Sequence, residues 1–119
     1  MNFEDLDVWE RSARLSADIY NALADLRDFG FRDQISRAGL SVPSNIAEGF
    51  ERCSVKECTN FLSYARGSCG ELRTHILIGM EIGYIPREIG KSWVRESREL
   101  SAMITSLMTA KKAFLKPET

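Results

Sequence analysis

Between Val55 and Ile76 the apolar positions are Val55, Cys58, Leu62, Ala65, Cys69, Leu72 and Ile76, separated by alternating steps of three and four. An α-helix turns every ~3.6 residues, so this spacing lines one face of a single long helix. It is incompatible with a strand, whose faces alternate with period two. A stripe this narrow is the seam of a helical bundle. The segment also carries its own start signal in Ser54-Val55-Lys56-Glu57. This is a capping box: the serine hydroxyl accepts from the Glu57 amide while the Glu57 carboxylate reaches back. With a stop near Gly83, the helix is predicted to run about 29 residues, roughly 43 Å.

The same period recurs on both sides. Near the start, Leu6, Trp9, Ala13, Tyr20 and Leu23 form one stripe, and Val8, Leu15, Ile19, Ala22 and Leu26 a second. The run Asp25 to Phe31, with Gly30 inside it, reads as the connection that follows. A fourth helix opens at Pro86, with Ile89, Trp93, Leu100, Met103, Leu107, Ala110 and Phe114 as its inward stripe. Val94, Ile104, Met108 and Leu115 lie to one side, Lys111, Lys112 and Lys116 sit near the negative pole, and Pro117 ends it.

The second region, Arg32 to Phe50, is the irregular one. Gly39, Ser41, Pro43 and Ser44 interrupt it. Pro43 lacks a backbone donor and crowds the preceding turn, which predicts a kink or a break into two short helices. Ser44 and Asn45 are expected to satisfy the backbone groups that Pro43 frees. Gly49 reads as the stop. On the third helix, Ser63, Gly67, Gly70 and Thr74 form a small-residue strip that another backbone can approach closely. No segment alternates with period two. The expectation is one all-α domain over residues 1–119, an up-and-down four-helix bundle with a Pro-kinked second helix. Two apolar stripes on one helix exceed what a small bundle buries, which predicts self-association.

Composition removes several function classes. With 44% hydrophobic and 28% charged residues the chain is an ordinary globular sequence. No stretch reaches the ~20 apolar residues of a membrane span. The first ten residues carry four acids, the opposite of a signal peptide, so the expected location is cytoplasmic. Three cysteines, no CxxC pair and a single histidine argue against a disulfide framework or a metal centre. Glu71 and His75 lie four apart on one helical face, but di-iron bundles use Glu-x-x-His twice, so no metal is expected. The sequence offers no nucleophile–base pair, no phosphate-cradling glycine loop and no carboxylate dyad. No catalytic residue, no cofactor and no enzymatic activity are expected.

The net charge is −1, too small for an overall nucleic-acid footprint. Its distribution is uneven. Residues 1–31 hold seven acids and three bases, whereas residues 83–119 hold seven bases and four acids. An acidic first helix and a basic last helix can attract each other, within a chain or between chains.

Residues 32–52, RDQISRAGLSVPSNIAEGFER, and 61–73, FLSYARGSCGELR, carry a resemblance, together with Phe3, Leu6, Val8, Trp9 and Ile82-Gly83-Tyr84. On these the chain resembles the 23S rRNA intervening-sequence protein family of bacteria, also called four helix bundle proteins, over roughly residues 3–110. The resemblance implies a short four-helix bundle, and a homopentamer, since some relatives form barrel-shaped pentamers. A related branch, the accessory variability determinant of diversity-generating retroelements, binds nucleic acid and a reverse transcriptase. RNA or a ribonucleoprotein is therefore an expected partner, although the near-neutral charge departs from the basic relatives. Candidate contacts are Arg37, Arg52 and Lys56 around the second turn, and Arg66 and Arg73 on one face of the third helix. Against this stand two structural readings: an Arg37–Glu48 salt bridge, and close helix packing at Gly67 and Gly70 beside Ser68 and Glu71. Trp9, Tyr20, Phe61, Tyr64, Trp93 and Phe114 read as core or interface anchors rather than base-stacking platforms. The competing function is a protein–protein adaptor that uses its charge asymmetry only for assembly.

Overall fold

Three of the four α-helices begin where a side chain or a proline relieves the first unpaired amides. A computed structural model describes residues 2–113, and within them a 3-10 turn at Phe3–Asp5 leads into α1 (Asp7–Ala22), α2 (Phe29–Glu51), α3 (Val55–Glu81) and α4 (Arg87–Lys112). Phe114, Leu115, Lys116 and Pro117, expected in the last turn of α4 and its stop, lie outside the described residues. At α2 the Asp28 carboxylate accepts from the Phe31 amide at 3.1 Å. At α3 the Ser54 hydroxyl accepts from the Glu57 amide at 3.0 Å. The Glu57 carboxylate reaches back, but to the Ser54 hydroxyl at 3.3 Å. Pro86 caps α4, where its missing N–H costs nothing. At the end of α3, Gly83 adopts φ +83°. That lets the Tyr84 amide turn back onto the Gly79 carbonyl at 2.8 Å, a left-handed closure that favours glycine.

Consecutive helices run antiparallel around a square. α1 packs on α2, α2 on α3, α3 on α4 and α4 on α1, while the backbones of the diagonal pairs stay apart. The rod measures 56 × 22 × 20 Å. Its core takes Val8, Leu15 and Ile19 from α1 and Ile35, Ala38, Val42 and Ile46 from α2. α3 contributes the predicted seam from Cys58 to Ile76, and α4 supplies Trp93, Val94, Leu100, Ile104 and Met108. Burial holds the Cys58 and Cys69 thiols above the usual thiol range, so both behave as small apolar fillers.

Several expectations change. The connection after α1 is residues 23–28, because Asp28 caps α2 three residues earlier than the glycine suggested; Gly30 lies inside α2. α2 is not broken at Pro43 but continues through it to Glu51. Asn45 does bond backbone near the proline, donating to the Ser41 carbonyl at 2.9 Å rather than to the Gly39 carbonyl that Pro43 orphans. Gly49 is a packing residue and not the stop. A Cβ there would stand 3.1 Å from the Cys58 carbonyl oxygen and 3.2 Å from Phe61 Cβ, so α2 and α3 close on the absent side chain. Gly67 and Gly70 do the reverse. A Cβ at either would meet nothing within 4 Å, so close packing within the chain does not explain them. On α4, Val94, Ile104 and Met108 are core residues, at 8%, 0% and 6% exposure. Ile89 is exposed, and Met103 and Leu107 are only half-buried.

Asp28 offers a titratable handle on this fold. The Phe31 amide, and then the Tyr84 hydroxyl at 2.8 Å, hold its carboxyl below the usual range. Its contribution is therefore complete above the unfolded value of ~3.9 and is lost as pH falls through the lowered folded value. Asp28→Asn keeps a capping side chain but cannot ionise. The drop in melting temperature between neutral pH and pH ~3 should be smaller in Asp28→Asn than in the parent; an equal drop contradicts the assignment.

Candidate nucleic-acid interface

The charged side chains of α4 are sorted by face. Toward α1, Glu96 and Glu99 converge on one guanidinium. Arg11 Nε donates to Glu96 Oε2 at 2.9 Å, and Arg11 Nη2 donates to Glu96 Oε1 and, at 2.8 Å, to Glu99 Oε1. Hydrogen bonds to both carboxylates raise the Arg11 guanidinium still further above its ordinary value, so it remains charged. The contact between α1 and α4 thus has the opposite polarity to the one the segment charges suggested. A base of the acidic helix meets acids of the basic helix.

Arg95 of α4 stays beside these acids on the α1 side, but three other cations of α4 lie on another face. Lys91, Arg98, Thr105 and Lys112 recur every seventh residue and share one face. That face turns toward α3, because Arg66 on α3 donates to Thr105 Oγ1 at 3.2 Å. One heptad along, Arg73 donates to Ser97 Oγ at 3.3 Å. Arg66, Arg98, Lys91 and Lys112 are exposed and Arg73 half-buried. Three and four residues to either side of each, where a helical ion pair would form, the described chain holds a single acid, Glu88, three residues before Lys91. Among the described residues none of these five cations lies within 4.0 Å of a carboxylate. The result is a groove between α3 and α4 flanked by two rows of positive charge that no carboxylate pairs.

The residues expected from sequence divide accordingly. Arg66 and Arg73 lie together on this face. Arg52 does not: it pairs with Glu48 and, at 3.6 Å, with Glu57, and its guanidinium lies over the Phe61 ring at 4.9 Å. Lys56, exposed on the first turn of α3, stands near this neutralised end. Arg37 is fifteen residues from Arg52 on one helix, roughly 22 Å along the axis, so the three do not cluster. The Arg37–Glu48 bridge is absent because Arg52 holds the glutamate. Lys91, Arg98 and Lys112 were missed, although their heptad spacing is readable. Ser44 is exposed and lines the hollow between α1 and α2 beside Pro43. The metal reading of Glu71 and His75 fails on geometry, since His75 Nδ1 meets the Glu71 backbone carbonyl at 2.8 Å rather than its carboxylate. Among the described residues no group of His, Cys, Asp and Glu is placed to hold a metal ion.

A second feature lies on the opposite side. A groove of about 850 Å³ runs between α1 and α2, lined by Trp9, Ala13 and Tyr20 and by Arg37, Leu40 and Pro43. Tyr20 and Leu40 are 61% and 60% exposed, a level that invites a covering partner. The excess apolar stripe of the first helix therefore faces this groove. The side stripe expected to do the same on α4 is internal.

Residues 4–106 match the family described as 23S rRNA-intervening sequence protein. The fold is also similar to a crystal structure from Bacteroides thetaiotaomicron, a protein of unknown function from the S23 ribosomal protein family. The two share 26% identity with a TM-score of 0.79, over 85% of this chain and 97% of that one. No curated protein matches the chain. No helix among the described residues is long and apolar enough to cross a membrane.

Proposed function

Because the chain belongs to the 23S rRNA-intervening sequence protein family, we propose that it is a non-enzymatic bundle whose α3–α4 face binds the phosphate backbone of RNA. The observation that carries this reading is the unpaired double row of Arg66, Arg73, Lys91, Arg98 and Lys112. Phosphate binding depends on local cation density and counterion release rather than on net charge. A chain of net charge −1 is compatible with it if its acids are turned elsewhere. Arg37, Arg52 and Lys56 are secondary in this reading, Arg52 because its charge is already paired. The cytoplasm, where RNA is encountered, is the proposed location.

Self-association is the second part of the proposal. A homo-oligomer covering the α1–α2 groove would leave the α3–α4 face of every subunit open, and repetition would multiply a modest affinity. The number five comes from the family resemblance alone. Sedimentation equilibrium should give a mass well above that of one chain; a monomer at micromolar concentration contradicts this part and removes the avidity with it. A protein–protein adaptor is the competing reading, favoured by the exposed Tyr20 and Leu40.

A salt series separates the two. Binding to a structured RNA should weaken steeply with salt, and Arg66→Glu with Arg98→Glu should lower affinity by about tenfold or more and flatten the log–log slope by about 2. Arg52→Ala should change little. Absence of binding even at low salt, in a variant-independent manner, supports the adaptor.

A further inference from the structure

We infer that the ligand of the α3–α4 face is a double helix, held by its two backbones, rather than a single strand. This deepens the phosphate-binding reading above and rests on it. Proteins that grip single strands provide rings on which bases stack, and this face provides none. The aromatic residues of α3 and α4 are all placed elsewhere. Trp93 is in the core. Phe61 lies under the Arg52 guanidinium, and Tyr64 packs edge-on against Phe61 with 5.5 Å between ring centroids.

What the face does present is rigid and doubled. Neighbouring helix axes lie ~8–10 Å apart, so the cations form two parallel rows on packed helices rather than one flexible track. From Lys91 to Lys112 the α4 row spans 21 residues of helix, roughly 32 Å. A duplex lays down a phosphate every ~3.4 Å on each of two strands, so rows of this length meet both backbones over most of a turn. Arg66 and Arg73 are tethered to Thr105 and Ser97 across the groove, which holds their guanidinium groups along its line. Between them Gly70 leaves open space where a Cβ would stand, so nothing obstructs a backbone lying across α3. The face carries no Asn, Gln, Asp or Glu among the heptad positions, so carboxamide and carboxylate readers of base edges are missing. Contact is therefore with shape and phosphate, the mode by which double-stranded RNA is usually held.

The test is fluorescence anisotropy of the full chain at one low salt concentration. The probes are an RNA duplex of about 16 base pairs, a length that spans two successive minor grooves, and each of its unstructured strands alone. The duplex should bind at least about tenfold more tightly than either strand, and Arg66→Glu with Arg98→Glu should abolish that preference. A preference below tenfold, or one that survives the double variant, overturns the inference and leaves the phosphate reading standing. Failure of all three probes to bind overturns the phosphate reading itself.

Discussion

The convergence of Glu96 and Glu99 on Arg11 is the interaction from which the rest of the surface follows. α1 is the shortest helix, and its contact with α4 is slighter than its contact with α2. The half-buried Arg11 side chain, 31% exposed between two carboxylates, fixes that contact. The rotation of α4 that buries Trp93, Leu100, Ile104 and Met108 is the one that brings these acids to Arg11. With its acids turned toward α1, the heptad of Lys91, Arg98 and Lys112 must face α3, where Arg66 and Arg73 already stand. One ion cluster thus helps close the bundle and turns Glu96 and Glu99 away from the adjacent α3–α4 groove. A partly exposed pair is usually worth little in stability; here its larger consequence is the placement of charge.

Much of the fold was legible in the sequence, and its failures share a cause. The α3 seam, the Ser54 cap and the Gly83 stop are local signals, and each holds. On α4 the inward face includes Gly90 and Ser97, both buried, so counting apolar residues alone rotated the helix and exchanged core for flank. Gly49 read as a stop because glycine ends helices, yet its role is to admit α3, which depends on a partner distant in the chain. Pro43 was expected to kink or break α2; the break does not occur, and neighbours on both sides hold one continuous helix, a case of tertiary packing overriding local preference. The charge was misread for the same reason. Segment sums of seven acids or seven bases contain no information about faces. Only the heptad spacing of the α4 cations carried it, and that pattern becomes meaningful once α3 is known to lie alongside.

The family likeness and the surface point the same way without depending on each other. Membership of the 23S rRNA-intervening sequence protein family suggests an RNA context, and the structural neighbour, of unknown function, adds the fold. The segregated cations supply a physical reason for a near-neutral chain to meet a polyanion. The apolar α1–α2 groove and the basic α3–α4 groove lie on opposite sides of the rod, so assembly through one need not obstruct binding through the other.

Lysine reactivity offers the most direct measurement of the central claim, that the α3–α4 face meets the nucleic acid. Acetylation of the chain, with and without bound RNA duplex, reports on Lys91 and Lys112 on that face and on Lys56 at the neutralised turn between α2 and α3. The account predicts protection of Lys91 and Lys112 while Lys56 reacts as before. Protection of Lys56 with Lys91 and Lys112 unchanged would contradict it.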